Sequence, residues 1–200
     1  MVAMRTLVVY AHPLDGSFAH ALMTQVVETL SGRGFDVRVT DLYREDFRPC
    51  LTAEERAAYN TPSPLMAPEI ERHVDDLRWA EALVFCFPHW WYGMPAILKG
   101  YLDRVWMPSV AFHLSPESSM IRPGLTNIRK FAVVTTYGAP WWFMRLFMLE
   151  PTRTILLRGM GRLCGPGLRT LYLAHYSMDN STPKSRKRFL RRVAGRFAKF

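Results

Sequence analysis

The chain has 200 residues, 49% of them hydrophobic, and a formal net charge of +9. That length suits one domain with a full core and excludes a chain disordered throughout. Cys50, Cys86 and Cys164 lie too far apart for a disulfide framework or a zinc spacing and fit a reducing cytoplasm, while the apolar run before His12 is too short for a signal peptide or a membrane span.

In chain order, Thr6–Ala11 is short, apolar and β-branched, and predicts a buried strand. Phe18, Leu22, Val26 and Leu30 then fall four apart, one stripe of a helix that Gly32 and Gly34 end. "FDVRVTDL" alternates as a second strand. Thr52-Ala53-Glu54-Glu55 starts a helix, and "NTPSPLMAP" follows as a surface loop. Next comes a helix with Ile70, Val74 and Leu77 inward, then the continuous apolar strand "ALVFCFP". "MPAILKGYLDRVWM" is a helix with Pro95 near its first turn. "VAFHLSPESSMIRPGLTNIRK" predicts a long irregular loop. "FAVVTTYG" is a fourth strand, "PWWFMRLFMLEPTRTILLRGMG" is aromatic and then helical, and "LRTLYLAHYS" is a fifth strand. A basic helix closes the chain.

Strands alternate with helices, and the clearest strands are apolar on both faces. The pattern predicts an α/β fold: a parallel sheet covered on both sides, with right-handed crossovers. In such open sheets, ligands bind beyond the carboxyl ends of the strands. Three segments meet there: "AHPLDGSF", "FPHWWYG" and "TTYGAPWW".

The first follows a strand and opens a helix, so its free amides could take an anion, with Ser17 capping and His12 donating. It could equally be a capped turn with a satisfied histidine. It has neither a glycine-rich dinucleotide fingerprint nor the lysine of a P-loop. Trp90, Trp91 and Tyr92 cannot all enter one core. They could stack on a planar heterocycle or form a surface or dimer contact. Thr135, Thr136 and Gly138 would bring backbone amides close to a ligand edge.

Taken together, "AHP…SF" and the longer Phe87–Val105 stretch, "FP..W….PA.LKG..DRV", resemble the NAD(P)H:quinone oxidoreductase family of flavodoxin-like flavoproteins. The likeness runs from the first strand to about Gly138. It implies a flavodoxin-like, five-stranded parallel sheet in a single domain. It implies that His12, Ser17, Phe18 and Ala19 hold the phosphate end of a flavin, expected as FAD with FMN the alternative. Pro88, His89, Trp90, Trp91 and Tyr92 would run along the ring, and Thr135, Thr136, Tyr137 and Gly138 would cradle its pyrimidine edge. Tyr137 stands where the family often has a glycine. The resemblance further implies hydride transfer from NAD(P)H through flavin N5 to a quinone-like acceptor, in a homodimer that completes each site, without a metal or a side-chain nucleophile. Azo or nitro compounds are a further acceptor class. His113, in the loop that would roof the pocket, is a candidate near the reacting centre, whereas His20, His73 and His175 read as surface or satisfied core residues.

The tail carries Lys184, Arg186, Lys187, Arg188, Arg191, Arg192, Arg196 and Lys199 with no acid. A terminal helix with a solvated basic face is the plain reading, and peripheral contact with an anionic membrane is the functional one. No recognition motif accompanies the charge, so nucleic acid is not expected. The tail and Tyr137 also support an alternative function: a flavin-binding regulatory subunit docked on a membrane transporter, with little turnover.

Overall fold

The computed structural model describes residues 3–61, 64–115 and 118–200. β1 (Arg5–Tyr10), β2 (Asp36–Asp41), β3 (Ala82–Pro88), β6 (Lys130–Thr136) and β7 (Arg169–His175) form a five-stranded sheet in the order β2-β1-β3-β6-β7. All four pairings are parallel. This is the flavodoxin-type order, which reverses direction of growth between β1 and β3 and opens a crevice there.

The apolar runs explain the burial. Successive strand side chains point to opposite faces. Leu7 and Val9 of β1 and Phe85 of β3 enter one core, with α3 (Pro68–Trp79) and α4 (Ala96–Val105). Val8, Tyr10, Val84 and Cys86 enter the other, with α1 (Phe18–Ser31) and α6 (Pro183–Phe197). Phe189, Val193 and Phe197 of α6 are all buried, so this helix spends its apolar stripe on the core and leaves its charged side outward. No helix among the described residues is long and apolar enough to cross a membrane.

Much of the Phe87–Val105 stretch is scaffold. A Cβ on Gly100 would stand 2.2 Å from the Pro49 carbonyl oxygen, so only glycine lets α4 approach that segment. Arg104 is buried and pairs with the buried Glu55 of α2 (Ala53–Ala58), with Glu69 at 3.2 Å and with the Arg48 carbonyl at 2.7 Å. Glu55 also closes the capping box of α2 on Thr52. A buried charge is tolerable only with partners of this kind.

Two expectations are corrected. The stretch read as a long irregular loop contains an antiparallel hairpin, β4 (Phe112–Ser115) and β5 (Ser118–Pro123). Pro116 and Glu117, like Pro62 and Ser63 of the proline-rich loop, lie outside the described residues. The stretch 140–161, read as aromatic and then helical, is broken into a π turn (Phe143–Phe147), the single α turn α5 (Pro151–Arg153), a second π turn (Thr154–Gly159) and a 3₁₀ turn that runs on to Leu163 (Met160–Leu163). Leu149 and Glu150 are left-handed, with φ of 56° and 45°, and Pro151 has no amide hydrogen to continue a helix. The proline instead starts the next turn.

Candidate active site

Two adjoining cavities lie beyond the carboxyl ends of β1, β3, β6 and β7. The larger, about 630 Å³, is lined by His12, Ser17, Phe18, Ala19, Pro88, His89, Trp90, Trp91, Thr136, Gly138, Met178 and Asp179. The smaller, about 220 Å³, adds Tyr92, Tyr137, Ala139 and Met144 and shares His89, Trp91, Gly138 and Asp179. The structure thus brings together nearly every residue singled out from the three segments. Thr135 lies beneath the cleft, fully buried, and His113 is exposed on β4, outside the lining of both cavities.

At one end, Ser17 caps α1 by accepting from the His20 amide at 3.0 Å, while its carbonyl accepts from Ala21. A helix leaves its first four amides without intrahelical partners. Here those are the amides of Ser17 to His20: Ser17's donates to the Leu14 carbonyl at 3.2 Å and His20's to Ser17 Oγ, so those of Phe18 and Ala19, both cleft residues, have no partner among the described residues. His12 Nδ1 accepts from the Leu14 amide at 3.0 Å, which places the ring proton of the neutral form on Nε2. Burial lowers the His12 pKa below its ordinary value. The end of the cleft therefore offers neutral N–H donors and a helix N-terminus, the makings of an anion site.

After β3, Trp90 and Gly93 exchange backbone hydrogen bonds at 3.2 and 3.1 Å, closing a two-residue turn. Trp91 and Tyr92 occupy it with φ of 49° and 62°. Non-glycine residues pay for such geometry, and it concentrates at functional sites. Its product here is a pair of amides with no partner among the described residues, at the junction of the two cavities. The turn is anchored by His89, whose amide donates to the Thr136 carbonyl at 2.8 Å. The Thr135 hydroxyl donates to the Phe87 carbonyl at 2.6 Å, so His89 Nδ1 must donate to Thr135 Oγ1 at 2.8 Å. Burial pushes the His89 pKa down to about 3, keeping the imidazole neutral.

Tyr137 does not stand free in the cleft. Its ring is buried, stacked on His89 at 3.7 Å and on Tyr176 at 5.3 Å, and its hydroxyl meets that of Tyr172. Desolvation raises its pKa, so the phenol stays protonated. The ring fills a layer under the smaller cavity and leaves the Gly138 amide with no partner among the described residues. A Cβ at Gly138 would lie 2.5 Å from Asp179 Oδ2. Reading the sequence overlooked Asp179 and Met178, which follow β7 in "HYSMDNST". The rule that drew attention to three strand ends applied to this fourth one as well. His73 is a core histidine, held down to about pKa 4 chiefly by burial. His175 is buried against Phe18 and Phe189.

Sheet order and cleft position define a flavodoxin-like protein, and the chain matches the model of the flavodoxin-like fold family over residues 4–196. It is 34% identical over 112 residues to the uncharacterized NAD(P)H oxidoreductase YcaK of Escherichia coli, a match covering 56% of this chain and 57% of YcaK's length. The solved NAD(P)H:quinone oxidoreductase of Methanothermobacter marburgensis superposes with a TM-score of 0.83 at 25% identity, covering 99% of this chain and 97% of that one. The fold extends to an FMN-dependent NADH-azoreductase of Bacillus anthracis solved with FMN, at a TM-score of 0.75 and 16% identity over 98% of each chain. The chain belongs to the flavodoxin-fold NAD(P)H:quinone oxidoreductase family.

Proposed function

We propose that the cleft holds a flavin and that the protein is an NAD(P)H oxidoreductase acting on quinone-like acceptors. The net reaction converts NAD(P)H, a proton and a quinone to NAD(P)⁺ and a hydroquinone. When bound, the flavin supplies the hydride-accepting and hydride-donating centre. The chain supplies binding and electrostatics. The carrying observation is the anion end of the cleft: the spare Phe18 and Ala19 amides at the start of α1, with His12 Nε2–H beside them. They suit a flavin phosphate. The amides of Trp91, Tyr92 and Gly138 suit the polar edge of a flavin ring, where they would favour negative charge in the reduced form.

FMN is our choice over the FAD that the resemblance implies. The Bacillus anthracis azoreductase that shares the fold was solved with FMN. A second copy of the chain belongs to the same proposal, because the cleft stands open beside Trp91, which is 96% exposed. Light scattering should then return twice the chain mass.

The direct test is the absorption spectrum of the purified protein, with mass analysis of the released cofactor. A yellow protein releasing FMN and oxidising NAD(P)H with a soluble quinone is expected. A colourless protein that takes up no flavin on reconstitution defeats the reading. His12→Ala should lower flavin occupancy. If that variant remains fully loaded and only turnover falls, the turn does not bind the phosphate.

A further inference from the structure

At the end of the sheet opposite the cleft, the starts of β6 and β7 and the end of α6 enclose a pocket of about 310 Å³. Lys130 opens β6 and Arg169 opens β7, side by side in the parallel register. Arg196 lies in the last turn of α6 and Lys199 just beyond it. Four cations from three parts of the chain thus line one pocket, and no Asp or Glu side chain lines it. The seven residues of β6 separate the pocket from the cleft, roughly 20 Å of strand.

A solvated basic face is the ordinary reading of such residues, with Arg196 complementing the carbonyl end of its helix. The pairing pattern argues against it. Arg129, the residue before Lys130, pairs with Glu81, and Arg38 and Arg72 pair with Asp76 and Glu45. None of the four pocket cations has an ion-pair partner among the described residues. The main-chain carbonyls of Phe197 and Phe200 are taken by Arg33, at 2.8 and 2.9 Å. Lys130 is also held in place. It is half-buried, with its ammonium 5.7 Å from the ring centre of Phe35 and 5.2 Å from that of Phe200. Burial and the neighbouring Arg33, Arg169 and Arg129 lower its pKa, the sign of like charges gathered at a cost.

Guanidinium forks that can each take two oxygens, together with ammonium point charges, are the chemistry of phosphoryl recognition. Cations face the pocket from the strand starts on one side and from the helix end on the other. Two linked phosphoryl groups engage both sides, where a single one engages half. A lipid surface suits the place poorly, because α6 keeps its apolar stripe in the core and has none to insert. We propose that this pocket binds a soluble diphosphate, free or carried on a small molecule, independently of the cleft. The basic tail thereby contributes Arg196 and Lys199 to a site invisible in the tail itself, since Lys130 and Arg169 come from strands.

The test is calorimetric titration of the whole protein with inorganic pyrophosphate, and separately with ADP, at constant ionic strength. Pyrophosphate should bind the wild type and also His12→Ala, which disables the anion end of the cleft. Affinity should fall about tenfold or more in Lys130→Gln with Arg169→Gln, and likewise in Arg196→Gln with Lys199→Gln. Without ligand, both double variants should melt no lower than the wild type, because like charges have been removed. If ADP binding falls in the same variants, the pocket takes diphosphate esters. If they leave ADP binding unaffected, it takes free pyrophosphate, and either result supports the site. No pyrophosphate binding by the wild type, or equal binding by both double variants, overturns the proposal. So does pyrophosphate binding that only His12→Ala abolishes, which would assign it to the cleft. Sedimentation with phosphatidylglycerol vesicles that the double variants lose, without pyrophosphate binding, overturns it in favour of a lipid surface.

Discussion

Trp91-Tyr92 and Leu149-Glu150 each place two successive non-glycine residues in the left-handed region, and each leaves its first side chain largely in water. The two turns are held differently. The first is closed by main-chain bonds between Trp90 and Gly93 and anchored through His89, Thr135 and the Phe87 carbonyl. The second has the Glu150 amide donating to the Met144 carbonyl at 2.8 Å, and its side-chain anchor is the Glu150 carboxylate with its phenol and guanidinium partners. Backbone strain in the first frees amides at the cleft. In the second it exposes an aliphatic side chain. The sharpest way to break the comparison is Glu150→Ala. It removes the side-chain anchor of the second turn and leaves Tyr176 Oη without that partner. Because Arg145 and Arg153 are about half exposed, most of the loss comes from the phenol bond and the released turn, roughly 2–3 kcal/mol. Denaturant unfolding measures it. A loss under about 0.5 kcal/mol would show that the second turn, like the first, is held by its backbone.

The first turn should instead answer to pH. The folded pKa of His89, about 3, lies below the ordinary 6.5, so between these values the unfolded chain binds more protons. Stability from this group is complete above pH 6.5 and is lost as pH falls toward 3. At pH 5 the loss is about 2 kcal/mol. His73, at about 4, adds a loss of the same sign that does not involve the turn. His89→Gln keeps a donor for Thr135 and removes the titration. Its stability should therefore fall less steeply than wild type between pH 6.5 and 5, by His89's share alone. Identical slopes in the two proteins would mean that protonating His89 costs the turn nothing.

The two turns also differ in how legible they were. The apolar runs of β1, β3 and β6 gave the sheet, because a strand buried on both faces has few other readings. The topology rule then collected His12, His89, Trp90 and Gly138 at one edge. The character of Trp91-Tyr92 was half visible: three adjacent aromatics had to face outward somewhere, but nothing local marks left-handed geometry without glycine or asparagine. The 140–161 segment was read as aromatic and then helical. Tertiary contacts overrode that reading. Glu150 is drawn inward to Tyr176, whose partnership across 26 residues no periodicity shows. The hairpin β4–β5 was missed for a related reason, since its strands are short and lack alternation.

The smallest expected effect separates strain from purpose most cleanly. Glycine occupies the left-handed region without penalty, so Leu149→Gly and Trp91→Gly should each stabilise the fold by up to about 0.5–1 kcal/mol, less the entropy glycine adds to the unfolded chain. The functional costs should diverge. Leu149→Gly should leave flavin occupancy unchanged. Trp91→Gly should lower flavin occupancy, because the freer turn no longer fixes its two amides against the cleft. Thermal melts with flavin titration on both variants read these outcomes. If both variants gain stability and neither loses flavin, the left-handed pairs are tolerated accidents of packing. If only Trp91→Gly loses flavin, the strain of the first turn serves the cleft and that of the second does not.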